Sequence, residues 1–221
     1  LAEVGVHQVE MKVHDGDLVK PGQVLMTVSG NARAILYAER TSLNFLSHLS
    51  GIATLTHTWV SAVAGTPCKV RDTRKTTPGY RALEKYAVRM GGGVNHRMSL
   101  SDAALIKDNH IAAAGGVSAA FEKVRAQFPQ IETEIEVDTL EQLNEILPLR
   151  PSLVLLDNMT PEQCRQAVFL VNGSVKLEAS GGITLENARA YAESGVDFIA
   201  VGALTHSAPV LDIGLDMRLD K

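Results

Sequence analysis

The sequence predicts an α/β fold: an incomplete, TIM-like α/β barrel with fewer than eight strands, preceded by part of an α/β sandwich domain. Three observations carry that expectation. Beyond Gly65, short apolar stretches alternate with helical stretches of about ten to fifteen residues, the pattern of a parallel sheet. Two of the strands place polar residues at every other position. Each strand ends in a charged group or a glycine.

At 221 residues, 45% hydrophobic and 21% charged, the composition is that of an ordinary globular chain and excludes disorder. No apolar run approaches the ~20 residues a membrane span needs, and the first residues lack the basic, apolar, small-residue series of a signal peptide. The expected location is therefore cytoplasmic, with no membrane partner. The two cysteines, Cys68 and Cys164, lie far apart, so neither a disulfide framework nor a thiolate zinc site is implied.

From the beginning of the chain, a strand-like stretch runs from Val4 to Val13, followed by a hairpin over Asp15–Leu25 with Gly16, Pro21 and Gly22 at its turns. The hairpin pattern occurs in biotinyl and lipoyl carrier modules, but Ser29-Gly30-Asn31-Ala32-Arg33 stands where their cofactor-bearing lysine belongs. A structural half-barrel is expected instead. From about Thr41 to Ala64, Leu43, Leu46, Leu49, Ile52, Leu55, Trp59 and Val63 recur at helical spacing, with Gly51 as a candidate break. Arg40, at the entrance of that helix, reads either as a surface residue or as a ligand for phosphate or carboxylate. Residues 1–65 are thus assigned to a partial N-terminal domain and 66–221 to the barrel.

Strands are expected at Cys68–Asp72, Ala104–Lys107, Ile131–Val137, Leu153–Asp157, Val175–Ser180 and Phe198–Val201. Helices are expected to start near Gly79, Val117, Thr139, Pro161 and Thr184, the last two with capping signals. Gly91-Gly92-Gly93 reads as a helix end and a close approach of two backbones. A strand covered by helices has no exposed face, so the alternating Glu134, Glu136, Lys176 and Glu178 are expected to enter the barrel lumen and offset one another there.

The net charge of −4 hides an asymmetry. Between Lys69 and Lys107, nine Lys and Arg face three acids, a balance of +6, while the remainder sums to −10. A local cationic site in an acidic chain suits a small anionic ligand and argues against nucleic acid. Arg81, Lys85 and Arg89, four residues apart, read as a solvated helix face. Arg74, Lys75, Arg97 and Lys107 do not, because they fall in turns and at a strand end.

In α/β barrels the chemistry collects at the C-terminal ends of the strands. Those ends carry Asp72, Arg74 and Lys75, then Lys107, Glu136, Asp157, Ser180-Gly181-Gly182 and Gly202. The two glycine turns, Ser180-Gly181-Gly182 and Val201-Gly202-Ala203, fall in the final units, where such barrels bind phosphate. His206 lies just beyond the second turn and reads either as a phosphate contact or as a surface residue. His7, His14, His48 and His57 show no zinc-ligand spacing, and His110 reads as shaping the turn after Lys107.

Arg71-Asp72-Thr73-Arg74-Lys75-Thr76-Thr77-Pro78-Gly79, Lys85-Tyr86-Ala87-Val88, Gly91-Gly92-Gly93-Val94-Asn95-His96-Arg97 and Ala104-Leu105-Ile106-Lys107-Asp108-Asn109-His110 resemble, in order, the quinolinate phosphoribosyltransferase family. Glu39–Asn44, Glu134–Val137, Leu155–Asn158, Ser180–Gly182 and Val201–Thr205 extend the match over nearly the whole chain. The family carries a helical and strand segment before the position of Leu1, so the N-terminal domain is expected to be partial. The resemblance implies phosphoribosyl transfer from phosphoribosyl pyrophosphate to quinolinate with loss of CO₂, giving nicotinate mononucleotide for NAD synthesis. It implies Mg²⁺ as cofactor, held directly or indirectly by Glu136 and Asp157, and a homodimer or larger homo-oligomer in which Arg40 reaches the neighbouring site. It further implies that Arg40, Arg74, His96, Arg97 and Lys107 grip the dicarboxylate and that Lys75 lies between the two substrates. Glu136 and Asp157 would meet the ribose, Ser180, Gly181, Gly182, Gly202 and Ala203 would cradle the 5′-phosphate, and Thr73 and Val201 would complete the contacts. Lys75, Lys107, Glu136 and Asp157 carry the expected catalytic roles. Transfer to nicotinate without decarboxylation, a related transferase with another substrate, and a non-catalytic binding module remain the alternatives.

Overall fold

The computed structural model describes residues 2–6 and 8–218; His7 lies outside them. An antiparallel pair, β1 (Gln8–Met11) and β2 (Met26–Ser29), opens the fold, with Gln8 opposite Ser29 and Met11 opposite Met26. The predicted first strand is shorter than expected because residues Ala2–Val4 form a 3₁₀ turn.

The long helix α1 (Ala32–Ala62) follows. It begins well before Thr41, because the Asn31 side chain accepts a hydrogen bond from the Ala34 amide and caps it there. Arg40 accordingly lies within the helix and not at its entrance. Gly51 does not break α1. A Cβ at that position would stand 2.0 Å from the Pro209 carbonyl oxygen, so the glycine admits the C-terminal segment against the helix.

The rest is a βα succession: β3 (Lys69–Arg71), α2 (Arg81–Met90), β4 (Ala104–Ile106), α3 (Asp108–Ala114), α4 (Val117–Gln127), β5 (Thr133–Val137), α5 (Leu140–Ile146), β6 (Leu153–Asp157), α6 (Pro161–Val171), β7 (Lys176–Ser180), α7 (Leu185–Glu193), β8 (Phe198–Ala200) and α8 (Ala203–His206). The six later strands form one parallel sheet in the order β3-β8-β7-β6-β5-β4. The last strand thus returns to pair with the first of the series, as in a barrel, while β3 and β4 remain the edges of an incomplete closure. On the open side of β3, Arg71 makes a single parallel bridge to Val94.

Two cores follow from the period of two along each strand. Val70, Ile135, Val137, Val154, Leu156, Leu177, Ala179 and Ile199 are buried against Trp59, Ala87, Val88, Phe121, Leu143, Cys164 and Ala188 of the helices. Each aliphatic side chain buried this fully contributes about 1.5–3 kcal/mol. The opposite parity carries Glu134, Glu136 and Glu178 inward, all buried. Lys176 shares that parity but not that place: at the first position of β7 it is exposed, its Nζ 5.9 Å from the Phe198 ring. Arg71, His96 and Lys107 supply the offsetting contacts in its stead.

The predicted solvated face of α2 also needs correction. Lys85 is fully buried and pairs with the equally buried Asp72. Arg81 bonds the Thr76 hydroxyl at 3.0 Å and the Met98 carbonyl at 3.2 Å, which leaves Arg89 as the exposed member of the set. Four-residue spacing reports a shared helix face and says nothing of whether water or an acid lies opposite.

Candidate functional site

The loop between β3 and α2 carries Thr73, Arg74 and Lys75. The Thr73 hydroxyl accepts from the Lys75 amide at 3.1 Å, and the Lys75 carbonyl accepts from the Thr205 hydroxyl at 2.8 Å, tying the loop to α8. Lys75 itself is exposed. A Cβ on Gly202 would fall 3.1 Å from its Cδ and 3.2 Å from His206 Nε2, so lysine and histidine both pack over the bare backbone of that turn.

Beside this loop runs the stretch from Gly91 to Arg97. Gly91 ends α2 where a Cβ would come within 2.3 Å of the Ala53 carbonyl oxygen, and Gly93 is crowded by Thr56 and Val88. This is the close approach the triple glycine predicts. The Asp72 carboxylate then organises the stretch: it accepts from the Asn95 side chain at 2.6 Å and the His96 amide at 2.8 Å, while Lys85 Nζ donates to the His96 carbonyl at 2.9 Å. Arg97 emerges from it at the mouth of the barrel, while His96 is buried and turns toward Glu134 and Glu178. Burial, and then the neighbouring Arg74 guanidinium, holds Arg97 below the usual arginine range. The Nε atoms of Arg74 and Arg97 are buried without a hydrogen-bond partner among the described residues. Two crowded guanidiniums with unpartnered Nε atoms have the chemistry to accept a carboxylate.

Across the mouth, Lys107 follows β4 as the N-cap of α3, held by His110, whose Nδ1 accepts from the Lys107 amide at 3.0 Å. Its half-exposed side chain reaches Glu136 Oε2 at 2.8 Å. Glu136, Asp138 and Asp157 have carboxylate oxygens within 4.8 Å of one another. Burial, then Glu136, then Asp138 pushes the Asp157 carboxyl above its ordinary range. Asp138 escaped the sequence reading, although it stands two positions beyond Glu136, just past the end of β5.

The next turn is built for backbone approach. Asn158, itself at positive φ, donates to Asp157 at 2.7 Å, and its amide bonds the Ser180 carbonyl at 2.9 Å. Gly181, at φ +83°, leaves only 2.2 Å between a would-be Cβ and Asn158 Oδ1, whereas Gly182, at φ +62°, faces open space. Val201 is a core residue whose amide bonds the Arg71 carbonyl at 2.9 Å, so only its backbone borders the mouth. Ala203 opens α8.

Arg74, Lys75, His96, Arg97, Lys107, Glu136, Asp157, Ser180, Gly181, Gly182, Gly202 and Ala203 therefore share one end of the barrel. Arg40 stands apart, exposed on α1 with no hydrogen bond or ion pair among the described residues. Cys68 and Cys164 are buried free thiols, each pushed up to about 12 by burial, and take no part. The described residues contain no helix long and apolar enough to cross a membrane.

The family profile "Quinolinate phosphoribosyl transferase, C-terminal domain" matches residues 52–216, and its N-terminal counterpart matches residues 5–50. The chain is 56% identical over 214 residues to the nicotinate-nucleotide pyrophosphorylase [carboxylating] of Mycobacterium leprae, spanning 96% of this chain and 75% of that one. A probable enzyme of the same name from Bacillus subtilis is 46% identical over 93% of this chain and 71% of its own length. Among solved structures, the nicotinate-nucleotide pyrophosphorylase of Ehrlichia chaffeensis superposes with a TM-score of 0.93 at 41% identity, covering 97% of this chain and 78% of that one.

Proposed function

Because the chain belongs to the quinolinate phosphoribosyl transferase family, we infer that its site joins quinolinate to the phosphoribosyl group of phosphoribosyl pyrophosphate. It is a pentosyltransferase of the carboxylating nicotinate-nucleotide pyrophosphorylase type, forming nicotinate mononucleotide, pyrophosphate and CO₂ in NAD biosynthesis. The observation that carries the assignment of roles is the pairing of opposite charges on the two sides of one mouth: crowded guanidiniums at Arg74 and Arg97, clustered carboxylates at Glu136, Asp138 and Asp157.

In this proposal Arg74, Arg97 and Lys107 hold the two carboxylates of quinolinate, His96 borders them, and Lys75 lies between quinolinate and the sugar phosphate. The amides of Ser180, Gly181, Gly182, Gly202 and Ala203 receive the 5′-phosphate, with Thr73 and Val201 lining its approach. Glu136 and Asp157 meet the ribose hydroxyls, and their negative charge favours the positive charge that develops at the anomeric carbon. The pyridine nitrogen attacks that carbon as pyrophosphate leaves. The quaternary nitrogen then accepts the electron pair released when the adjacent carboxylate departs as CO₂, and the ring carbon takes up a proton. No nucleophile on the protein is needed.

The oxygen donors of Glu136 and Asp157 fit a hard divalent cation, and burial first, then the neighbouring Glu136 and Asp138 carboxylates, raises the Asp157 carboxyl, a repulsion such an ion would relieve. Mg²⁺ bound there would neutralise charge on the departing pyrophosphate. The same proposal includes a cytoplasmic location, a division of the chain at residues 1–65 and 66–221, and a homodimer or larger homo-oligomer in which the exposed Arg40 reaches a neighbour's site.

Release of labelled CO₂ from carboxyl-labelled quinolinate, dependent on phosphoribosyl pyrophosphate and Mg²⁺, tests the reading. Lys107→Ala, which removes a charged contact to the reacting groups, is expected to lower turnover by about 10²–10³-fold with an unchanged melting temperature. Pyrophosphate release with nicotinate but not with quinolinate, or near-normal activity in that variant, would overturn it.

A further inference from the structure

Below the mouth, a second set of charged groups fills the lumen. Arg71 from β3 and Glu178 from β7 form an ion pair, Glu134 enters from β5, and His96 descends from the loop after α2. Glu134, Glu178 and His96 are all more than nine-tenths buried. An imidazole facing two carboxylates is ordinarily expected to be an imidazolium. The His96 ring has a geometry that forbids it. Its Nδ1 accepts the Arg97 backbone N–H at 2.8 Å and so carries no proton. The ring proton belongs on Nε2, which stands 3.0 Å from Glu134 Oε2 and 3.6 Å from Glu178 Oε1.

The Arg71 guanidinium already compensates one of the two carboxylates. Burial, and then Glu134, pushes the Glu178 carboxyl up to about 7, which weakens its pull on a second ring proton. Glu178 Oε1, 3.6 Å from Nε2, lacks a hydrogen-bond partner among the described residues, so that acid keeps acceptor capacity facing the ring. A His-Glu-Glu set can also bind a metal, but the Arg71 guanidinium already sits on Glu178 and would repel a cation.

We propose that Glu134 and Glu178 are positioning residues for the quinolinate half of the site: they hold His96 as the neutral imidazole protonated at Nε2, whose Nδ1 fixes the Arg97 amide and with it the guanidinium that meets a substrate carboxylate. Both ring nitrogens are then engaged within the chain, and His96 acts by orienting Arg97. This rests on the assignment of Arg97 to quinolinate made above.

Nitrogen NMR of the full chain labelled at histidine, with the His96 signals identified by their loss in His96→Gln, is expected to show one neutral Nε2–H tautomer at neutral pH. In Glu134→Gln and Glu178→Gln that single pattern is expected to give way to a mixture. The KM for quinolinate should rise about tenfold through misplacement of Arg97, with the KM for phosphoribosyl pyrophosphate and kcat each within about twofold of the parent. An imidazolium or an Nδ1–H tautomer in the unmodified chain would overturn the proposal. So would folded Glu134→Gln and Glu178→Gln variants that keep the parent KM for quinolinate. A chain that releases no CO₂ from quinolinate counts against the reaction, whereas the tautomer is read from the resting protein and stands or falls separately.

Discussion

At the scale of single residues, a fully buried cation, Lys85, is structural. Lys85 has no solvent-exposed surface, and burial holds its ammonium below the usual lysine range while Asp72 opposes that shift. The pair matters for what remains when one partner goes. With Lys85 replaced, Asp72 keeps the Asn95 and His96 bonds but loses its countercharge inside the fold. Lys85→Met is therefore expected to cost about 3–5 kcal/mol, read as a lower denaturant midpoint with unchanged m-value. A loss below about 1 kcal/mol, the range of exposed ion pairs, would mean that water reaches the Asp72 carboxylate. The sequence motif marks Lys85 by its family likeness, but spacing alone places it on a solvated helix face. Nothing in a four-residue period reveals that an aspartate from another element lies opposite.

At the scale of elements, the strands and capped helices were legible because their signals are local. Pro161 follows the Thr160 cap and Thr184 caps its helix through Asn187, and both helices begin where those residues require. The alternating acids of β5 likewise disclosed a polar lumen. The helices α3 and α8 escaped because they are short and follow strand ends directly, and Gly51 was misread because its partner, Pro209, lies far along the chain. Two effects compete at that glycine. Helix propensity alone favours alanine there by about 1 kcal/mol. Against it stands a methyl group 2.0 Å from a backbone oxygen, next to a segment tied to α1 by the Leu211 amide on the Ser47 carbonyl at 3.1 Å. A side chain that must displace backbone loses typically about 1–3 kcal/mol, so Gly51→Ala is expected to lower the melting temperature in calorimetry. A rise would show that the C-terminal segment yields freely and that the contact contributes little.

At the scale of the whole molecule, the acidic chain encloses a barrel whose interior is itself charged, and this sets an unusual response to pH. Glu178 titrates ordinarily near 4.5 but is pushed up to about 7 in the fold, by burial first and by Glu134 second. Within that window the folded chain keeps a proton that the unfolded chain has released. Stability must then fall as pH rises from 4.5 toward 7, and this contribution levels off above the upper value, once both states are ionised. A carboxylate held below its ordinary range by a salt bridge behaves the opposite way, losing its stabilisation as pH falls. The groups that face Glu178 are Arg71 from β3, Glu134 from β5 and His96 from the loop after α2, and all three persist in Glu178→Gln. Denaturant midpoints of the parent and this variant, compared at about pH 5 and about pH 7.5, isolate the linkage of this one group from the background of the other carboxylates. The parent is expected to lose more stability than the variant between the two conditions, whatever their difference at either one. Parallel pH profiles would place the Glu178 titration outside the window and would require the Arg71 guanidinium to dominate over burial in the barrel interior.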